Sequence, residues 1–255
     1  MNAWVLAVGG EDPSGAGLDA DRDAAFAADV RLVTVATCHT DQSDAGVRDV
    51  GPVDADAWRF DALAAASIEN PGALKFGLLP GRAHLEAARA VVDQFAFEAP
   101  GMPVVVDPVI ASSSGFVFVE ELEPMRALIA RGTIVTPNLP ELAALARVEL
   151  ASIETDLDAR LAAALGLCAL GSAAVVVKGG HGAEDPIVDL VVLDGEAVWL
   201  ERPRLAGASI RGSGCRFATY VAARLARGSG GVQGLVGAVR EAGEWVASRL
   251  VDARS

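Results

Sequence analysis

The stretch "RAHLEAARAVVDQFAFEAPGMPVVVDPV" (82–109) changes its period part-way along. Residues 82–95 carry apolar side chains at helical spacing, whereas 103–109 form a short, continuous, Val-rich run. Such a run suits a strand covered on both faces of a parallel sheet. The alternation extends outward through most of the chain. "AWVLAV" (3–8), "RLVTVAT" (31–37), "ALKFG" (73–77), "TIVTP" (133–137) and "AAVVVKGG" (173–180) read as further buried strands. Helical patterns lie between them at 54–69, 140–148 and 156–170. Repeated βα units predict an α/β fold, a mostly parallel central sheet with helices on both faces.

The pattern changes near residue 186. "PIVDLVVLDGEAVWLERP" (186–203) predicts two strands joined at Asp194-Gly195, a hairpin signal. Two closing helices, roughly 214–227 and 232–251, flank the break "GSGG" (228–231). No Pro- or Ser-rich linker and no internal repeat divides the chain, so one domain over 1–255 is expected.

Composition narrows the function. The chain has 255 residues, 52% hydrophobic and 22% charged, enough for an ample core. A formal charge of −13 argues against nucleic acid, whose binding relies on basic residues neutralising phosphates. A phosphorylated small molecule needs only local positive potential. Three cysteines and three histidines show neither a disulfide framework nor a zinc spacing. The opening "MNAWVLAVGGEDPSG" lacks a basic region, and its apolar run is too short for a signal peptide. No run reaches the roughly 20 apolar residues of a membrane span. A cytoplasmic protein is therefore expected.

In an open parallel sheet, ligands gather at the carboxyl ends of the strands. Small or polar loops follow five of the predicted strands: "GGEDPSGAG" (9–17), "CHTDQS" (38–43), "DPVIASSSG" (107–115), "PNLPE" (137–141) and "KGGHG" (178–182). A sixth candidate precedes the first closing helix, at "GSGC" (212–215). There the amides of Gly212, Ser213 and Gly214, with the helix dipole, could hold a transferring phosphoryl group beside Cys215. The alternative is a turn capped by Ser213. Asp107 ends a buried strand, where a carboxylate needs a partner, and magnesium would supply one. Asn138 and Glu141 have the spacing of a capping box, a role compatible with binding. Lys178, one of two lysines, ends a strand facing glycines and suits a nucleotide phosphate. Asp21 lies in the helix after the first loop, either pointing back toward a substrate or solvated. His181 reads as a loop residue. His39 and Cys38 could line a pocket, though Cys38 equally suits core packing. No G-x-x-x-x-G-K-[ST] is present, which excludes a P-loop. Together these groups suggest phosphoryl transfer without one.

"EDPSGAGLDAD" (11–21), "LKFGLLPG" (74–81), "VVVDPVI" (104–110), "TPNLPE" (136–141), "VVVKGGH" (175–181) and "GSGCRFATYVAARLARG" (212–228) resemble the ribokinase superfamily. The likeness is strongest to its hydroxymethylpyrimidine/phosphomethylpyrimidine kinase branch, in order and approximate spacing and over nearly the whole chain. It implies a ribokinase-like three-layer sandwich and ATP- and Mg2+-dependent phosphorylation of 4-amino-5-hydroxymethyl-2-methylpyrimidine and its monophosphate in thiamin biosynthesis. By the same resemblance, Gly212, Ser213 and Gly214 form the anion hole and Cys215 stands at the catalytic position. Asp107, Asn138, Glu141 and Lys178 serve nucleotide phosphates, with Asp107 and Glu141 toward magnesium, directly or through water. Gly10, Asp21 and Val109 fall in the pyrimidine pocket. The second loop, "VATCHTDQSDAG" (35–46), departs from the family's shorter loop, whose glutamine reads the aminopyrimidine; Gln42 and His39 are the candidates to replace it. "CRFA" (215–218) brings Arg216 and Phe217 where small residues are usual. A homodimer or higher assembly is implied. The alternatives are a kinase for a pyridoxine- or pyridoxal-type vitamer and a non-catalytic pyrimidine sensor.

Overall fold

The computed structural model describes residues 3–43, 46–205, 210–228 and 230–252. The chain begins with β1 (Trp4–Asp12), α1 (Gly17–Ala27), β2 (Arg31–Ser43) and β3 (Gly46–Pro52). Next come α2 (Ala55–Ala66), β4 (Ala73–Phe76), α3 (Arg82–Glu98), β5 (Val104–Val106) and α4 (Leu122–Ile129). Then follow β6 (Ile134–Val135), α5 (Leu139–Ala146), α6 (Leu150–Thr155), α7 (Leu157–Ala169) and β7 (Ala174–Val177). The last elements are β8 (Ile187–Leu193), β9 (Glu196–Arg202), α8 (Ser213–Ala226) and α9 (Gly231–Asp252).

All of these strands join one sheet in the order β3-β2-β1-β4-β5-β6-β7-β8-β9. Pairing is parallel from β2 through β7. Antiparallel strands extend both ends: β3 on β2, and the hairpin β8–β9 on β7. The order reverses between β1 and β4, the switch point beside which ligand crevices open.

Strand alternation divides the core into two faces. Trp4, Leu6, Val8, Val104, Val106, Val175 and Val177 pack with residues of α2, α3, α4, α5, α6 and α7. Val5, Val105, Ala174 and Val176 pack on the other face with α8 and α9. Three layers result, as the βα repetition predicts. Because α8 is rich in alanine, it lies close over the sheet: Ala218, Ala222 and Ala223 are fully buried.

Three elements were not legible in the pattern. The helix α6 has 6 residues, too few turns to establish a period, and α4 (Leu122–Ile129) was not expected. The strand β3 is mostly exposed and shows no apolar run. Residues 38–43, expected as a loop, continue β2. Their backbone is paired with β3 from Cys38↔Pro52 to Ser43↔Gly46. Asp44 and Ala45 of the predicted second loop, Ser229 of the glycine-serine break, and residues 206–209 lie outside the described residues. Among the described residues no helix is long and apolar enough to cross a membrane.

Candidate active site

The carboxyl ends of β1, β5, β6 and β7 open into a cleft of about 880 Å³ beside the start of α8. A second cavity of about 340 Å³ adjoins it, lined by Ile187, Arg204, Phe217, Val246 and Leu250 among others. The two share Asn138, Lys178, His181, Ile210, Ser213 and Gly214. Their junction is therefore the amino end of α8 opposite the lysine.

That helix end is built from glycine for steric reasons. Gly212 adopts a left-handed conformation, φ 74°, and a Cβ there would stand 2.9 Å from both Ala16 Cα and Ala20 Cβ. A Cβ on Gly214 would stand 3.2 Å from Lys178 Nζ and 3.7 Å from Asp107 Oδ2. No side chain caps this end, and the first main-chain bond into the helix runs from the Arg216 amide to Gly212 O at 2.9 Å. Ser213 therefore does not act as the cap. The Ser213 amide, expected in the anion hole with those of Gly212 and Gly214, donates instead to Ile210 O at 3.3 Å. The amides of Gly214 and Cys215, in the first turn, lack intrahelical partners and carry the positive end of the helix dipole.

Facing them, Lys178 donates to Asp107 Oδ1 at 2.7 Å and lies 3.8 Å from Glu141 Oε2. Asp107 is buried just beyond β5, and Glu141 in the first turn of α5. The Asn138 side chain accepts from the Glu141 amide while the Glu141 carboxylate accepts from the Asn138 amide, each at 2.8 Å. The predicted capping box is thus formed and holds both residues at the cleft wall. Burial pushes the Glu141 carboxyl up to about 7, against the opposing pull of Lys178. Burial alone would lower Lys178, but Asp107 and then Glu141 hold it above its ordinary value, so it is a cation. After Lys178 the chain makes a single 3-10 turn, Gly179–His181, fixed by the Gly179 amide donating to Asp189 Oδ1 at 2.7 Å. His181 lines both cavities, and burial, then Lys178, lowers its pKa.

The donor set suits magnesium bound through few protein oxygens. Among the described residues no group of three acidic, His or Cys side chains forms a metal cage. Asp107 and Glu141 nonetheless line the cleft as two hard oxygen donors. Magnesium commonly binds through one or two carboxylates plus substrate phosphates and water.

Gly10, Gln42 and Val109 line the large cleft, together with Asp12, Thr40, Ser112, Ser113 and Arg211. Gln42 donates to Thr40 Oγ1 at 3.1 Å and accepts from Arg211 at 3.3 Å, linking β2 to the start of α8. Two expected residues are placed elsewhere. His39 does not line the cleft: it alternates with Thr40 on β2, and its side chain is 65% exposed, 3.4 Å from Glu11. Asp21 is fully buried behind the cleft on α1. Lys75 Nζ donates to its two oxygens at 2.8 and 2.9 Å, and Thr219 Oγ1 donates at 2.7 Å. Lys75 was missed. Its signal was a charge inside the apolar run "ALKF", which demands a buried partner. Burial alone would lower Lys75, yet Asp21, then Cys215 and Asp107, raise it overall, while burial raises Asp21 against the opposing pull of Lys75.

Cys215 lines the cleft, and burial pushes its thiol up to about 12, with Lys75 and Lys178 opposing and Asp107 and Asp21 reinforcing. At neutral pH it is a thiol, not a thiolate base. Iodoacetamide should therefore alkylate Cys215 at pH 8 on the order of 10³-fold more slowly than free cysteine, as peptide mass mapping would show. A rate near that of free cysteine would establish an anionic nucleophile instead.

Residues 12–254 match the family described as phosphomethylpyrimidine kinase. The hydroxymethylpyrimidine/phosphomethylpyrimidine kinase of Streptomyces coelicolor is 35% identical, over 96% of this chain and 88% of that protein. Its Bacillus subtilis namesake is 31% identical over 88% and 82%. An ADP complex of Bacillus subtilis pyridoxal kinase superposes with a TM-score of 0.81 at 27% identity, covering 94% and 90% of the two chains. The Staphylococcus aureus pyridoxal kinase bound to AMP-PCP and pyridoxal gives 0.80 at 27%, covering 97% and 87%. With this match over nearly its full length and a 35% identical relative covered to 88%, the chain belongs to the phosphomethylpyrimidine kinase family.

Proposed function

We propose that this protein transfers the γ-phosphoryl group of ATP to the hydroxymethyl group of 4-amino-5-hydroxymethyl-2-methylpyrimidine, and then to the resulting monophosphate. The observation that carries the reading is the meeting of two cavities at Ser213 and Gly214, opposite Lys178. The smaller, more apolar cavity suits the nucleoside. The larger one, with Gly10, Thr40, Gln42 and Val109, suits the pyrimidine.

In transfer, the acceptor oxygen bonds to the γ-phosphorus while the bond to the bridging oxygen of ADP breaks, and the hydroxyl proton passes to an oxygen of the transferred phosphoryl group and on to solvent. The amides of Gly214 and Cys215 and the Lys178 ammonium stabilise the charge on the moving group. Magnesium on Asp107 and Glu141, when bound, would neutralise phosphate charge. Phosphoryl transfer depends mainly on alignment and charge, so the Cys215 thiol contributes by position in the helix's first turn. The kinase acts as a single domain in the cytoplasm, as a homodimer or higher assembly, on small molecules rather than nucleic acid; the charge of −13 supports the last point.

A second reading, phosphorylation of a pyridoxal-type vitamer, is favoured by the pyridoxal kinases among the structural relatives. Coupled ADP release with ATP and magnesium separates the two, using hydroxymethylpyrimidine, its monophosphate, pyridoxine and pyridoxal as acceptors. Turnover of the pyrimidines with a kcat/KM at least about tenfold above the pyridines is expected. Turnover of pyridines alone would transfer the assignment to the vitamer. Binding without turnover would make the protein a sensor.

A further inference from the structure

Arg216 lies in the first turn of α8, one residue past Cys215, and is 6% exposed. Its Nη1 donates to Arg211 O at 2.6 Å and to Gly15 O at 3.2 Å, and its Nη2 donates to Asp23 Oδ2 at 2.7 Å. One planar guanidinium thus joins the glycine-rich loop after β1, helix α1, and the residue leading into Gly212. The neighbouring residues Ala16, Gly17, Arg211 and Gly212 all line the large cleft, and none of them lines the smaller cavity.

Stability alone does not account for this side chain. Its Nε is buried and has no hydrogen-bond partner among the described residues. An unmet buried donor is unfavourable, and well-packed apolar residues often replace buried ionic groups at no loss. What an apolar residue could not do is fix three backbone segments at once. A guanidinium can, because its donors point in fixed, divergent directions from one plane. The tie also adds to a second link between the same helices, from Thr219 to Asp21.

We propose that Arg216 is a positioning residue for phosphoryl transfer, holding the first-turn amides of α8 in register with the acceptor loop at Gly15. The proposal rests on the kinase reading above. It predicts an effect on phosphoryl transfer and acceptor alignment rather than on ADP affinity, because among the described residues the hydrogen bonds of this guanidinium run to Gly15, Asp23 and Arg211 and not to Asn138 or Lys178.

The test compares wild type, Arg216→Ala and Arg216→Lys by steady-state kinetics with hydroxymethylpyrimidine, by ADP calorimetry, and by amide hydrogen exchange over residues 210–216 without ligand. For Arg216→Ala, kcat should fall about 10²-fold and acceptor KM should rise, with ADP affinity unchanged within about twofold. Exchange at the hydrogen-bonded amides of Ser213, which donates to Ile210 O, and of residue 216, which donates to Gly212 O, should quicken. Lysine can keep the Asp23 pair but not the fork, and should restore only part of kcat. Unchanged kcat, or a parallel loss of ADP affinity, would overturn the proposal. If Arg216→Ala does not fold, Asp23→Ala removes one contact at a half-exposed residue and should lower kcat several-fold; no change there would equally overturn it. If wild type turns over no pyrimidine, the substrate assignment fails. The exchange comparison still decides the role of Arg216, and unchanged rates would refute it.

Discussion

Gly212→Ala is expected to lower kcat/KM by about 10²–10³-fold, the loss that follows removal of one oxyanion-type donor. Two causes act together. Alanine in the left-handed region costs about 1–2 kcal/mol, which favours a different path into α8. Its Cβ would also press on Ala16 Cα and Ala20 Cβ at 2.9 Å, where main chain and a buried helix leave no room. Relief of either contact moves the amides of Gly214 and Cys215 away from the junction of the cavities. Calorimetry with ADP and steady-state rates on the same preparation are the measurement. Near-normal turnover would show that these amides do not stabilise the transferred group.

Lys178→Met should reduce kcat/KM for ATP by a similar factor, about 10²–10³-fold, while pyrimidine binding by thermal shift stays close to that of wild type. The ammonium is the cation at the junction, 2.7 Å from Asp107 and 3.8 Å from Glu141, and methionine keeps most of the length without the charge. The reverse pattern, weak pyrimidine binding with normal ATP use, would overturn its placement. A pH signature accompanies the loss. Glu141 in the folded protein titrates at about 7, above the usual carboxylate range. A raised folded pKa gives stability that is complete at low pH and lost as pH rises through the folded value. Without Lys178, which pulls that pKa down, the titration moves higher still. In metal-free protein, the melting temperature of the variant should fall more steeply than that of wild type between about pH 5 and 8.

Much of the fold and part of the site were legible before any coordinates. Valine runs separated by helical periods specify a parallel sheet, because a strand buried on both faces needs apolar side chains throughout. The loops at strand ends identified Gly10, Asp107, Asn138, Glu141, Lys178 and the Gly212–Cys215 segment, all of which line the cavities. Each of these lies near the carboxyl end of an apolar strand or in the first turn of a helix. Local pattern is enough to find such positions.

Direction and partnership were not legible. Whether Thr40 or His39 faces the cleft depends on the register of β2 against β3, and one residue's shift reverses it. Asp21 and Lys75 are separated by 54 positions, and only the packing of α1 against the sheet turns a lone carboxylate and a lone lysine into one buried ion pair. Arg216 likewise became a tie between segments 193 and 201 residues away only through the approach of α8 to α1. The sequence by itself therefore determined the layers, the loops that line the cleft and the residue types at the start of α8. Tertiary structure alone decided which charges neutralise each other and which side chains reach the cleft, because electrostatic pairing and burial depend on distance in space, to which local periodicity is blind.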